Sequence, residues 1–297
     1  MCEHSILEIK NLCKSYKNFT LNNINLSLDK GFIMGLIGEN GAGKTTLIKL
    51  IINLVKPNSG SIEVFGKDNI KFESDVKEKI GFVYDELNLY SFMSVKDNIA
   101  LVSSLYSSWD SNAFNSYMQR FGISQCMNQK FKDLSKGMKM KLSLCIALSH
   151  KAEFIILDEP TSGLDPVVRS ELLEELQTLV ENQNVSILIS THITTDLDKI
   201  ADYITFLSNG NMVFSLSNEE LRENYKVVKG PLAALTEDLK ALFLGVSKNK
   251  YGFEALTNSS DKLCKFIKSH SNDSIYNDLI IENAQLEDIM FLHNIAS

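Results

Sequence analysis

The chain has 297 residues, 44% of them hydrophobic and 23% charged, ordinary proportions for a globular protein of one large or two moderate domains. Thirty lysines and arginines against 37 aspartates and glutamates leave a net charge of −7, and four prolines with fifteen glycines argue against a collagenous or linker-rich chain. A basic nucleic-acid footprint is therefore not expected, and no apolar stretch approaches the roughly 18 residues of a membrane-spanning helix.

Residues 6–9 and 24–28 alternate apolar and polar, as half-buried strands do. Phe32 to Ile37 is nearly continuous and apolar, which suits a strand covered on both faces in a parallel sheet. Lys44 to Val55 then reads as a buried helix stopped by Pro57 and Ser59-Gly60. Ile62–Phe65 and Ile80–Tyr84 are short strands. From Ser91 to His150 the texture turns helical, with helices expected over 94–106, 112–121 and 136–149. Phe154–Leu157 is another buried strand, followed by a helix from Pro166, whose ring suits the first helical position after an Asp165 cap. Val185–Ser190 is a further core strand, and Asn209-Gly210 predicts a hairpin turn between 203–207 and 212–214.

This alternation predicts an α/β domain over 1–216, with a helical insertion over about 88–150 and a C-terminal accessory region over 217–297. The accessory region opens on a capping box, Ser217-Asn218-Glu219-Glu220. Helices are expected there over 232–243 and 261–269, mixed with short strands. Its 12 acids and 9 bases make no basic tail. Five cysteines without a C-x-x-C pair, and an N-terminus lacking an apolar core after basic residues, read as free thiols in an intracellular protein.

Gly38-Glu39-Asn40-Gly41-Ala42-Gly43-Lys44-Thr45 matches G-x-x-x-x-G-K-[ST] and lies between an expected strand and an expected helix. Glycines allow the backbone to wrap its N–H groups around a phosphate, and the helix start adds a positive dipole end. Lys44 is expected to reach the β- and γ-phosphates, the Thr45 hydroxyl to bind Mg²⁺, and Thr46 to approach the α-phosphate. Asp158 and Glu159 end an apolar strand. There Asp158 can orient Mg²⁺ and Glu159 can hold an attacking water as general base.

Further segments occur in a telling order: Leu134-Ser135-Lys136-Gly137-Met138, Ser162-Gly163-Leu164-Asp165, and His192. Over residues 5–216 the chain resembles the nucleotide-binding subunit of an ABC transporter. The resemblance implies a P-loop ATPase with a mixed sheet core, an antiparallel β subdomain and an inserted helical subdomain. It makes 134–138 the signature motif, 162–165 the D-loop with Asp165, and His192 the switch histidine that contacts the γ-phosphate. Tyr16 becomes the aromatic that stacks on adenine, with Phe19 a nearby competitor. Ser135 and Gly137 would act in trans, closing ATP between two copies in a head-to-tail dimer. A serine that caps its own helix can do both, since the helix N-terminus still presents donors to an anion.

Two positions depart from that pattern. Lys136 stands where a glycine is usual, either adding a cation near phosphate or facing solvent. Asp85 stands where glutamine is usual; it can bind Mg²⁺ or a water but changes charge and reach, and Glu86 can substitute if the loop slides by one residue.

The resemblance implies ATP hydrolysis coupled to transport through separate permease subunits, at the cytoplasmic face of the membrane. The second ATPase is another copy or a paralogue. Residues Leu87, Leu89, Tyr90 and Phe92 are candidate permease contacts. Leu134–Met138, Asp85 and the segment 286–290 are similar to small bacterial exporters of antimicrobial peptides and phenol-soluble modulins, so peptide or hydrophobic-drug export is expected. The alternative is a soluble ABC-type ATPase of macromolecular assembly, such as sulfur-cluster biogenesis.

Overall fold

A computed structural model describes residues 5–84, 89–183, 185–270 and 273–296. The chain divides into two compact units. One takes the described residues up to Ile193 together with Ile200–Ser215; the other takes Thr194–Lys199 and the described residues from Leu216 onward.

The first unit opens with a long hairpin, β1 (Ser5–Tyr16) and β2 (Phe19–Asp29). Both strands outrun the alternating stretches at 6–9 and 24–28. The reason is a shift of register between Ile9 and Lys14, with Asn11 at φ 48°. Such a bulge swaps the faces on which side chains fall, so period-2 alternation breaks while pairing continues. β3 (Ile33–Ile37) is buried at every residue. It feeds α1 (Lys44–Ile51), which stops four residues before the expected end because Asn53 turns left-handed at φ 51°. The Leu54 and Val55 N–H groups return to the Lys49 carbonyl, the usual way a helix end satisfies its last acceptors.

β4 (Ser59–Val64), β5 (Lys67–Asp68), α2 (Glu73–Glu78) and β6 (Ile80–Val83) follow. The helical insertion holds α3 (Val95–Ser103), capped by Ser94, α4 (Ser111–Arg120), capped by Asp110, and α5 (Lys136–Ser149), capped by Ser135. The chain then returns through β7 (Phe154–Asp158), α6 (Pro166–Gln183) and β8 (Ser186–Ser190). After α7 (Thr194–Ile200) come β9 (Tyr203–Ser208) and β10 (Asn211–Ser217), joined through Asn209 and Gly210 at φ 48° and 77°. Two successive positive φ values are what a tight hairpin turn requires.

These strands form one sheet in the order β5-β4-β1-β2-β10-β9-β3-β8-β7-β6. Each pair of neighbours among β5, β4, β1 and β2 is antiparallel, whereas β9, β3, β8, β7 and β6 run parallel. Among the described residues, the antiparallel part meets the rest where Asn211 of β10 pairs with Asn22 of β2. The carboxyl ends of β3, β8 and β7 therefore lie side by side, the place where open α/β sheets present ligands.

The second unit contains α8 (Asn218–Asn224), whose capping box joins Ser217 and Glu220 reciprocally. β11 (Lys226–Gly230), β12 (Gly245–Lys248), β13 (Phe253–Thr257) and β14 (Ile280–Asn283) make a four-stranded antiparallel sheet ordered β12-β13-β11-β14. The helix expected over 232–243 is instead a short 3₁₀ turn at 232–234 and α9 (Glu237–Lys240). Thr236 divides them: its hydroxyl accepts the Leu239 N–H and starts a new helix where periodicity ran through. α10 (Ser260–Ser269) and α11 (Leu286–Ala296) complete the unit. Its own core includes Val228, Leu239, Phe253, Leu263 and Tyr276.

Candidate functional site

The loop from β3 to α1 is built on glycines with positive φ. Gly38 has φ 153°, and a Cβ there would lie 2.3 Å from the Leu207 carbonyl oxygen. Gly43 has φ 113°, and its Cβ would meet Leu21 and Phe19 at 2.9 Å. Gly41, at φ 86°, faces open space. Glu39 closes a turn by accepting the Ala42 N–H at 3.1 Å, with Asn40 exposed at the bend. Gly43 gives α1 no side-chain cap and no acid follows in the first turn. By contrast α3, α4 and α5 are all capped by their own side chains. The first N–H groups of α1, at Lys44, Thr45 and Thr46, are thus open to an anion.

Lys44 is 6% exposed and donates to the Gly38 carbonyl at 2.7 Å and the Glu39 carbonyl at 3.2 Å. Burial pushes its ammonium below the usual lysine range, and the carboxylates of Glu159 and Asp158 partly offset that. A partner that supplies negative charge is what such a cation lacks.

Asp158 ends β7 and is level with Ser190 of β8. Its Oδ2 accepts the Thr45 hydroxyl at 3.1 Å, joining the phosphate loop to the acidic strand. Its Oδ1 is buried without a hydrogen-bond partner, a group whose acceptor capacity is unused within the chain. Glu159 follows at φ 53°, a strained backbone for this residue type, held by its N–H to the Ser190 carbonyl at 2.8 Å. That turn carries its carboxylate to His192, just beyond β8: Oε2 lies 2.7 Å from Nδ1 and accepts the His192 N–H at 3.4 Å. The other oxygen, Oε1, is 4.0 Å from Lys44 Nζ. Thr45 thus meets Asp158, and Lys44 meets Glu159, which meets His192, two sets of contacts joined through the adjacent residues 44–45 and 158–159.

Tyr84 belongs here too, and the sequence reading missed it. Val83 pairs with Leu157, so the next residue comes level with Asp158. Burial first, and the Asp158 charge second, push the Tyr84 phenol up. The signal was positional only: Tyr84 immediately precedes Asp85 in the sequence. Asp85, Glu86 and Leu87 lie outside the described residues.

Tyr16 pairs with Phe19 across the end of the first hairpin. Phe19 packs against the main core and borders Gly43, whereas Tyr16 is 46% exposed. Of the two aromatics, Tyr16 is the more accessible for stacking.

The remaining residues gather elsewhere. Ser135 accepts the Met138 N–H at 3.2 Å as the cap of α5. Gly137 fits closely on α6, since a Cβ would stand 3.0 Å from Val168 Cγ1. Asp165 caps α6 by accepting the Val167 and Val168 N–H groups at 3.1 Å each. Ser135, Lys136, Gly137, Gly163 and Asp165 line one open cavity of about 440 Å³, whose walls include no residue of the phosphate loop, the acidic pair or His192. Tyr90 and Phe92 are strongly exposed and Leu89 is half-buried.

The chain has clear relatives among known proteins. A family model described as ABC transporter matches residues 21–162. The chain is 36% identical over 209 residues to the lantibiotic transport ATP-binding protein SrtF of Streptococcus pyogenes, covering 70% of this chain and 89% of that one. It is 32% identical over 236 residues to the bacitracin transport ATP-binding protein BcrA of Enterococcus faecalis, covering 77% of each. Among solved structures, the ATP-binding subunit of an ABC transporter superposes with a TM-score of 0.67 at 26% identity, covering 73% of this chain and 92% of the other.

Proposed function

The chain belongs to the ABC transporter family of ATP-binding proteins, and from that premise we propose that it hydrolyses ATP in a head-to-tail pair to power export of a peptide or hydrophobic compound. One observation carries the dimer reading: Ser135 and its cavity are separate from the phosphate loop of the same chain. Two half-sites that share no cavity within one chain are completed, in this reading, by a second copy.

In this reading the N–H groups at the start of α1 and the Lys44 ammonium hold the β- and γ-phosphates, and Tyr16 receives the adenine. The Thr45 hydroxyl and Asp158 would hold Mg²⁺. The free Asp158 Oδ1 and the Thr45 contact suit a hard cation that takes oxygen ligands. When bound, Mg²⁺ supplies charge neutralisation at the phosphates. Glu159 takes a proton from the attacking water as its oxygen bonds to the γ-phosphorus and the β–γ bridging oxygen leaves with ADP. His192 fixes the Glu159 carboxylate through Oε2, which leaves Oε1 toward Lys44. Ser135 and the N-terminus of α5 that it caps, from the second copy, seal the γ-phosphate.

No helix among the described residues is long and apolar enough to cross a membrane. Separate permease subunits then provide the path, with this chain at the cytoplasmic face and Leu89, Tyr90 and Phe92 as contacts. Both reported relatives are transport ATP-binding proteins, which favours this reading over a soluble assembly ATPase.

Mixing tests the trans site. Lys44→Ala and Ser135→Arg subunits are each inactive alone; mixed, they assemble one intact site per pair and recover ATPase activity. Absence of recovery at every mixing ratio, with both variants folded, argues against the paired site. Co-expression with the permease, read as cargo-stimulated ATPase, tests export; indifference to lantibiotic- and bacitracin-like peptides and to hydrophobic compounds would remove the cargo assignment.

A further inference from the structure

Lys14 and Tyr16 stand two residues apart on β1 and so share a face of the hairpin. The Lys14 ammonium lies 5.3 Å from the centroid of the Tyr16 ring. It is held there by a second contact, donating to the Lys56 carbonyl at 2.7 Å. The backbone between them is fixed as well. Asn58 Oδ1 accepts the Ser15 N–H at 2.7 Å, while the Asn58 N–H donates to the Cys13 carbonyl at 2.8 Å. Lys56 and Asn58 lie in the short segment that leaves α1, the helix whose first turn forms the phosphate site. The strand that carries the aromatic is thus tied to the segment that follows the phosphate-binding helix by one lysine and one asparagine.

We propose that Lys14 is a positioning residue for nucleotide binding: it occupies one face of the Tyr16 ring and presents the other to the purine base. The inference rests on the reading that Tyr16 stacks on the base. A cation over one face of an aromatic ring is attracted by the ring quadrupole, which restrains an exposed side chain that would otherwise sample several rotamers. Tyr16, 46% exposed, is such a side chain. The Lys56 carbonyl keeps the ammonium from drifting into solvent. Positive charge behind the ring also draws electron density from it, which favours stacking on an electron-rich base.

The test compares equilibrium binding of Mg·ATP with that of Mg·tripolyphosphate, which has the phosphates but no base, in wild type and in Lys14→Met, Lys14→Arg and Tyr16→Ala. Lys14→Met keeps the stem and loses the charge. It should weaken ATP binding by about two- to five-fold, the size of an exposed cation–π contact, and leave tripolyphosphate binding unchanged. Lys14→Arg should restore ATP binding, because a guanidinium stacks on an aromatic face as well as an ammonium does. Equal loss of both ligands in Lys14→Met would mean a merely structural role and overturn the proposal. If Tyr16→Ala weakens ATP selectively and Lys14→Met does not, stacking stands and the role of Lys14 falls. If Tyr16→Ala leaves the difference between the ligands unchanged, the stacking reading itself fails and takes this inference with it.

Discussion

Replacing Glu159 by glutamine separates nucleotide binding from hydrolysis. The substitution preserves shape and an acceptor oxygen, so the amide can still take the His192 contact that Oε2 makes at 2.7 Å. It removes the proton acceptor, and a positioned general base contributes about 10²–10⁴-fold. At about 1.36 kcal/mol per decade, the barrier should rise by roughly 3–5 kcal/mol. Binding should move the other way. Glu159 Oε1 is 4.0 Å from Lys44 Nζ, a separation at which opposite charges attract by about 4 kcal/mol at an effective dielectric of about 20. Without that carboxylate the lysine charge is available to phosphate, and repulsion between Glu159 and the γ-phosphate disappears. Steady-state phosphate release should therefore drop by at least about 100-fold while the ATP dissociation constant holds or tightens. A turnover within about three-fold of wild type would refute the base assignment.

Other perturbations test other parts. Ser135→Ala should cost about 1 kcal/mol through the lost α5 cap, whereas Ser135→Asp keeps a good cap yet repels phosphate. Melting curves should then show the aspartate variant as stable as wild type, while ATP-dependent dimerisation in sedimentation is abolished; a dimer that persists would leave Ser135 as a cap only. Gly38→Ala drives a Cβ to 2.3 Å from the Leu207 carbonyl oxygen and should lose both stability, by about 1–3 kcal/mol or more, and ATP binding. Gly41→Ala meets open space and should cost only the roughly 1–2 kcal/mol of a left-handed backbone, so equal denaturation midpoints for the two would contradict the loop geometry. His150 is buried, stacked on Tyr106, and donates from Nδ1 to the Glu78 carbonyl at 3.0 Å. Burial holds it below its ordinary value of 6.5, so the unfolded chain takes up its proton first. Its contribution to stability is present above pH 6.5 and is lost as pH falls from there through the lowered value. His293 is lowered by burial in the same window, so His150→Leu should flatten the fall in melting temperature below pH 6.5 in part; an unaltered slope would count against it.

Much of the phosphate site was legible because its chemistry is local in sequence. A glycine loop, lysine and threonine must be contiguous to wrap one phosphate, and Phe154–Leu157 announces a buried strand before Asp158 by composition alone. Helix α5 was legible to both ends because Ser135 caps it and periodicity runs unbroken to Ser149. The first hairpin was not, since the register shift near Asn11 hides its alternation. Nor was the division at Thr236, where a hydroxyl competes with helix continuation. Tyr84 and Lys14 were illegible for a different reason. Each acts through a neighbour that only strand register or the segment after α1 brings close, and neither carries a motif. The passage of Thr194–Lys199 into the second unit, directly after His192 and Ile193, likewise depends on tertiary packing.

The central claim is that a nucleotide gripped by one copy is sealed by the signature helix of another. A structure of Glu159→Gln loaded with Mg·ATP tests it most directly, through the distance from Ser135 Oγ to the γ-phosphate held by Lys44 of the facing copy. The account predicts a hydrogen bond of about 2.5–3.0 Å at both sites. Single copies with bound ATP, or pairs in which Ser135 stands far from every γ-phosphate, would contradict it.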